Sequence, residues 1–376
     1  MNADCKNVVS RFLSNADNMN SSTLSKDPNS SLTVPWEIQT RLTSDNAEQL
    51  AASILRRPHL TSVRLEVVAN DEDDNPRHNI EQLGVLRALL DKQNRDDVKL
   101  SIVSVALYAD WIKNIEMMTD CPALESLVVA GNLRIRDIAP LSSCPKLKHF
   151  AVKPPLARTG KRGRLLRRKG TRGFRPRMEL EDVSVLAGCP DMETICVSFT
   201  SVWNIAPLAN LTALRSLNIS YTGVANLPAK CRWPNLEEID ISFTDISTIS
   251  PLLWCRKLRV FNARATRLSN INPLGACTAL ERVDISATEV EDITALSRCI
   301  DLEWVHMIST NVSDISPLVC CPKLKLLNID ECDSVRNLSA LDSGPKDVNY
   351  ISSEIAVEES KLNVVRTGLV YQMYME

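Results

Sequence analysis

Leucine recurs every 22 residues along much of this chain, at Leu214, Leu236, Leu258, Leu280, Leu302 and Leu324, and each copy continues as L-x-x-[LIVF]-x-[IAM]-x-x-[TC]. Leu214-Arg-Ser-Leu217-Asn-Ile219 and Leu236-Glu-Glu-Ile239-Asp-Ile241 show the pattern plainly. The alternation inside each copy has a period of two, which predicts a short strand with its fourth- and sixth-position side chains turned inward and its third and fifth turned outward. A second regular stretch follows, as in Ile249-Ser-Pro251-Leu252, Ile271-Asn-Pro273-Leu274 and Ile315-Ser-Pro317-Leu318, with a cysteine three residues before the next leucine. It predicts a tight turn and a short return segment. Met192, Leu147 and Leu124 begin further copies, and Ile102 with Val105 and Leu107 a weaker one, so that about ten units result.

One such unit cannot cover its own apolar face. Neighbouring units must stack, and their strands then form a parallel sheet on the inner side of a curved solenoid. The expected fold is an α/β solenoid, a horseshoe with a parallel concave β-sheet, about ten repeats and a cap at each end.

The pattern resembles the leucine-rich-repeat family, in the 22-residue class seen in the protein-phosphatase regulatory subunit and in bacterial internalins. The resemblance covers about residues 102–345. The Thr and Cys usage, T-x-[IV]-x-[DN]-I-x-P-L-x-x-C, is similar to that of trypanosomatid leucine-rich-repeat proteins. The chain departs from the family's usual Asn at the ninth position, where Thr200, Thr222, Thr244, Thr266, Thr288, Thr310 and Cys332 stand. A hydroxyl can still bond the turn backbone, so the fold survives the change. The resemblance implies a protein-binding role, an inference by analogy of fold.

Outside the repeats the period is lost. Residues 1–35, with a Ser- and Asn-rich stretch, read as a flexible tail. Residues 36–101 read as an N-terminal cap, holding a degenerate strand at Leu60-Thr-Ser-Val63-Arg-Leu65 and an amphipathic helix through Ile80, Leu83, Leu86, Leu89 and Leu90. Residues 346–376 read as a C-terminal cap.

Composition changes this picture little. Aromatic residues make up 5% of the chain, as expected where one aliphatic side chain fills the same slot repeatedly. No apolar run approaches the ~18–20 residues needed to cross a bilayer, and the polar start lacks a signal peptide's apolar stretch, so an intracellular protein, cytoplasmic or nuclear, is expected. Seven of the twelve cysteines, Cys121, Cys144, Cys189, Cys255, Cys277, Cys299 and Cys321, share one slot, which Leu211 and Trp233 fill elsewhere. Apolar replacements mark the slot as core, with the thiols reduced and packed rather than bound to a metal.

The second position carries Glu193, Arg215, Glu237, Arg259, Glu281, Glu303 and Lys325, with opposite charges on most neighbouring strands, which reads as a solvated cross-strand ladder. The fifth position places Cys196, Asn218, Asp240, Asn262, Asp284, His306 and Asn328 in a polar stripe on the concave sheet. Beside it stand Trp304 at a third position and Phe199, Tyr221 and Phe243 at three successive eighth positions. Aromatics on an outward face have no core to fill, so Phe199, Tyr221, Phe243, Trp304 and His306, with Asn218, Asp240, Asn262 and Asp284, are the candidate protein-binding residues. The competing reading is that the rings merely cover the sheet edge.

Leu147 to Met192 spans one unit plus 23 extra residues. The surplus, 153–180, holds eleven Lys or Arg and no Asp or Glu between Lys153 and Arg177, in a chain of net charge −2. Lys161, Arg162, Arg164, Arg167, Arg168, Lys169, Arg172 and Arg175 suit a solvated excursion, a nuclear-import signal, or an arm for RNA or an acidic partner. Phe174 is its one aromatic residue, so any nucleic-acid contact would be to the phosphate backbone. No phosphate loop, dinucleotide fingerprint, H-E-x-x-H or G-x-S-x-G occurs, and His306 beside Asp284 lacks a nucleophile or metal partner. The expectation is therefore a non-enzymatic scaffold with no cofactor. A structural component of a ribonucleoprotein stands as the alternative, and residues 36–100 are where catalysis would have to sit.

Overall fold

The computed structural model describes residues 36–335, apart from 44–45, 58–59, 70–75, 108–113, 132–133 and 154–177, together with 344–345, 348–351 and 363–364. Strands β1 (Trp36–Arg41), β2 (Leu60–Ala69) and β3 (Lys99–Leu107) are long, and β4 (Ser126–Ala130) and β5 (His149–Lys153) shorter. Three-residue strands follow: β6 (Thr194–Cys196), β7 (Ser216–Asn218), β8 (Glu238–Asp240), β9 (Val260–Asn262), β10 (Arg282–Asp284), β11 (Trp304–His306) and β12 (Leu326–Asn328). β13 (Asn349–Ile351) and β14 (Asn363–Val364) complete a 14-stranded sheet, ordered as the chain runs. Every pairing is parallel, and from β6 to β12 each residue faces the one 22 positions on, as in Leu217↔Ile239 and Phe261↔Val283. The chain is an open leucine-rich-repeat solenoid, and its sheet continues past the regular repeats, through β1 and β2 before them and β13 and β14 after.

Two α-helices, α1 (Ala47–Leu55) and α2 (Pro76–Asp91), make the first two crossovers. Leu86 and Leu90 of α2 are fully buried, as their helical spacing from Ile80 and Leu83 requires. Later units return through five-residue 3-10 segments such as Ser250–Trp254 and Asn272–Ala276. The signal for these is local. In five of the eight among the described residues a proline occupies the first turn, where its missing N–H is no loss. Two residues before each start, a short polar side chain accepts from the first backbone N–H: Asp137 from Ala139, Asp182 from Ser184, Asn270 from Asn272, Asp292 from Thr294 and Asp314 from Ser316, at 2.7–2.8 Å.

One continuous core runs the length of the solenoid, built from the first, fourth and sixth positions and the return-segment Ile and Leu. Ninth-position threonines close each turn. Thr200, Thr222, Thr244, Thr266, Thr288 and Thr310 are buried, and each hydroxyl donates to the carbonyl three residues before it, at 2.6–2.8 Å. The substitution for Asn thus keeps the turn bond.

The cysteine column is core, as its apolar replacements imply. Its seven thiols are free and buried. Burial pushes them up, to about 12 at Cys121, Cys255, Cys277 and Cys321 and about 11 at Cys144 and Cys299. Cys277, Cys299 and Cys321 each point the thiol at a leucine carbonyl 25 residues back, in the unit before, at 3.5–3.8 Å. Where Trp233 takes the slot, its indole N–H donates to Leu208 O, also 25 residues back, at 2.9 Å. Trp233 is fully buried at the end of the one regular unit among the described residues that forms no 3-10 segment.

Only a thiolate alkylates, and a thiol near 12 is about one part in ten thousand ionised at pH 8. Iodoacetamide on the native protein should therefore modify Cys320, the one exposed cysteine among the described residues, long before Cys255, Cys277, Cys299 or Cys321. Peptide mapping by mass spectrometry checks this; equal labelling of Cys320 and Cys277 without denaturant would contradict a dry column.

Candidate concave binding face

The third- and fifth-position side chains of the strands project from the concave sheet, and the eighth positions line the edge where the strands end. At that edge Phe199, Tyr221 and Phe243 are left-handed, with φ of 60°, 56° and 54°. Such a φ is rare for bulky residues and strained unless the surroundings enforce it. The ladder enforces it here: each eighth-position N–H donates to the seventh-position carbonyl of the next unit, Phe199 to Ser220, Tyr221 to Ser242 and Phe243 to Arg264, at 2.8–3.0 Å. The rings are held at strand spacing and stack, with centroids 4.2 Å apart for Phe199–Tyr221 and 4.1 Å for Tyr221–Phe243 and planes 14° and 12° apart. Phe199 and Tyr221 are half-buried, whereas Phe243, at the end of the stack, is 39% exposed.

The polar stripe has an internal task that its spacing alone does not reveal. Asn218, Asp240, Asn262, Asp284 and Asn328 each accept, through Oδ1, from the backbone N–H two residues on, at 2.9–3.1 Å. These turns end the strands. Asn262, His306 and Asn328 are buried within the stripe, while Asn218, Asp240 and Asp284 are half-buried. Burial lowers the His306 pKa from its ordinary value, opposed by the neighbouring Asp284 and assisted by Arg264.

Trp304 is half-buried beside this stripe, with the exposed Arg282 guanidinium 5.3 Å from its ring centroid in a cation–π contact. The second-position charges form the expected ladder: Arg215 reaches Glu193 at 3.6 Å and Glu237 at 2.8 Å, Arg259 grips Glu281 with two bonds, and Lys325 reaches Glu303 at 2.9 Å. It extends further toward the N-terminus, where Glu125 bridges Arg64 and Lys148.

The N-terminal half of the concave face differs in kind. By register the polar fifth-position column continues there as Ala151, Val128, Ala106 and Val68, all half-buried and apolar. His149, the outward third position of the copy that begins at Leu147, stands beside Ala151 on that face, with Nδ1 3.3 Å from Thr194 Oγ1. In register it pairs with Ser126 and Thr194.

The insertion leaves at the end of β5 and re-enters at Met178, which bridges Thr200 and donates its N–H to Phe199 O at 2.7 Å. Met178 thus lies beside the first ring of the stack. Lys161, Arg162, Arg164, Arg167, Arg168, Lys169, Arg172 and Arg175 lie outside the described residues. Among the described residues no helix is long and apolar enough to cross a membrane, and no group of His, Cys, Asp and Glu could hold a metal.

Comparison with solved structures returns repeat proteins of the same architecture. Internalin InlF of Listeria monocytogenes is similar with a TM-score of 0.60, at 17% identity over 86% of this chain and 83% of its own. The functional domain of InlJ of Listeria monocytogenes, which includes a cysteine ladder, is similar with a TM-score of 0.51, at 15% identity over 84% of this chain and 61% of its own. At these identities the likeness is one of fold. No protein-family model and no curated protein sequence matches the chain.

Proposed function

From a chain with the leucine-rich-repeat fold we propose a non-enzymatic protein-binding scaffold that takes its partner on the C-terminal half of the concave face. The observation that carries this reading is the Arg282–Trp304 cation–π pair, standing with Asp284 and His306 on the outward face of the sheet. Trp and Arg are the side chains most often found at the energetic centre of interfaces. Asn218 and Asp240, half-buried, with the more deeply set Asn262, supply polar contacts, and Phe199, Tyr221 and Phe243 a second contact at the strand ends. We place the protein in a reducing compartment, cytoplasm or nucleus, on the support of eleven free thiols among the described residues.

The rival reading, a ribonucleoprotein component that contacts RNA through residues 154–177, is supported by the cation density of that segment. One experiment separates the two. Intact chain, Trp304→Ala/Asp284→Lys and a deletion of 154–177 are used as bait at low and moderate salt, and bound protein and RNA are identified. The scaffold reading expects the same proteins on the intact and deleted chains, with recovery at least tenfold lower on the double variant. RNA recovery that vanishes with the deletion and falls steeply with salt, with proteins unaffected by the double variant, would replace it with the RNA reading.

A further inference from the structure

The aromatic stack is unfinished at one end. Beyond Phe243 the eighth-position column continues with Ala265 and Ala287, in the same left-handed conformation, φ 55° and 54°, and on the same ladder bonds, to Ser286 O at 2.8 Å and Ile308 O at 2.7 Å. The backbone there holds the geometry that aligns three rings, yet carries no ring. One face of Phe243 is consequently open, which is why it is the exposed member of the three. Beyond Ala287 the column continues with Ser309, whose hydroxyl donates to Glu331. The rings in this column already repeat at 4.1–4.2 Å, one per strand, so one further planar group fits against Phe243 in register with the stack.

Charge narrows the occupant. Arg264, immediately before Ala265, forms no ion pair among the described residues, and its field reaches the concave face, where it acts on His306. Arg267, just after the same turn, is held by Asp245 at 2.9 Å. A guanidinium with no ion pair among the described residues, one residue before the ring-free position, matches a carboxylate next to an aromatic side chain.

We propose that Phe243, Ala265 and Arg264 form a docking step for an extended acidic–aromatic peptide of a partner protein, whose ring continues the column over Ala265 and whose adjacent Asp or Glu pairs with Arg264. The step deepens the scaffold reading and rests on it, since it names the chemistry of the partner at the strand-end edge of the same face.

The test selects a random peptide display library on the intact chain, then measures the enriched peptides against Ala265→Phe, Phe243→Ala, Arg264→Glu and Trp304→Ala. Ala265→Phe places in the column the side chain that Phe199 and Phe243 already carry in that conformation, and Phe243→Ala truncates an exposed ring, so both should keep the circular dichroism of the parent. The expected peptides carry an aromatic residue with Asp or Glu at a neighbouring position. Their affinity should fall at least tenfold in Ala265→Phe and in Phe243→Ala, and selection on Arg264→Glu should move toward Lys or Arg neighbours. Peptides without an aromatic residue, affinity unchanged in Ala265→Phe, or no enrichment at all would overturn the step. Peptides lost only in Trp304→Ala would overturn it while leaving the concave scaffold standing. A fluorescent single-stranded oligonucleotide that binds and is displaced by filling Ala265, where peptides do not bind, would overturn the peptide in favour of a base.

Discussion

Replacing Trp233 by alanine should cost about 3–5 kcal/mol of stability, among the largest effects available from one side chain here. The indole is 1% exposed and occupies a slot that elsewhere holds a thiol or a leucine, so the cavity left behind would be large. It sits where the return segment is irregular, and the neighbouring backbone has no compensating helix to collapse into. Trp233→Phe separates the two contributions. It keeps most of the volume and loses the 2.9 Å bond to Leu208 O, and should cost about 1–2 kcal/mol. Urea unfolding followed by far-ultraviolet circular dichroism measures both. A cost for Trp233→Phe equal to that for Trp233→Ala would mean the hydrogen bond, rather than the packing, is what the slot requires.

The threonine ladder makes the second large effect, by accumulation. Thr222, Thr244 and Thr266 donate to the Ile219, Ile241 and Ala263 carbonyls at 2.7, 2.6 and 2.8 Å, all within the interior. Valine has the same shape and no donor, so each Thr→Val exchange should cost about 1–2 kcal/mol and the triple variant roughly 3–5 kcal/mol, with some departure from additivity because the units touch. The matching triple Thr→Asn variant restores a donor of the kind the resemblance leads one to expect, and its urea midpoint should lie well above that of the triple valine. If the valine variant unfolds at the parental midpoint, the turn is held by its backbone ladder alone and the hydroxyls are passengers.

Much of this was legible residue by residue. Leu217, Ile239 and Val283 announce their inward positions by spacing alone, and the period of 22 returns as the register of β6 to β12. The thiol slot was readable as core because Leu211 and Trp233 share it. The candidate site was legible only as a column of residue types. Counting outward positions places Asn262 and Asp284 in one polar stripe, yet it cannot report that Asn262 is buried, or that both spend an oxygen on the backbone two residues on. Counting from Leu147 does place His149 at an outward third position, but it cannot report the contact that His149 makes with Thr194 on the neighbouring strand.

The sequence by itself determined the repeat, the parallel order of the strands and the inward set, because a 22-residue period encodes the same local instruction again and again and neighbouring units must bury one another. It also placed three aromatics one repeat apart. Only the tertiary structure decided what those aromatics do. A left-handed backbone at each eighth position, held by a bond to the next unit, turns separate rings into a stack that ends open at Phe243, and it commits one oxygen of each stripe carboxamide or carboxylate to a turn. Those outcomes depend on bonds between units, and a pattern written within each unit does not contain them.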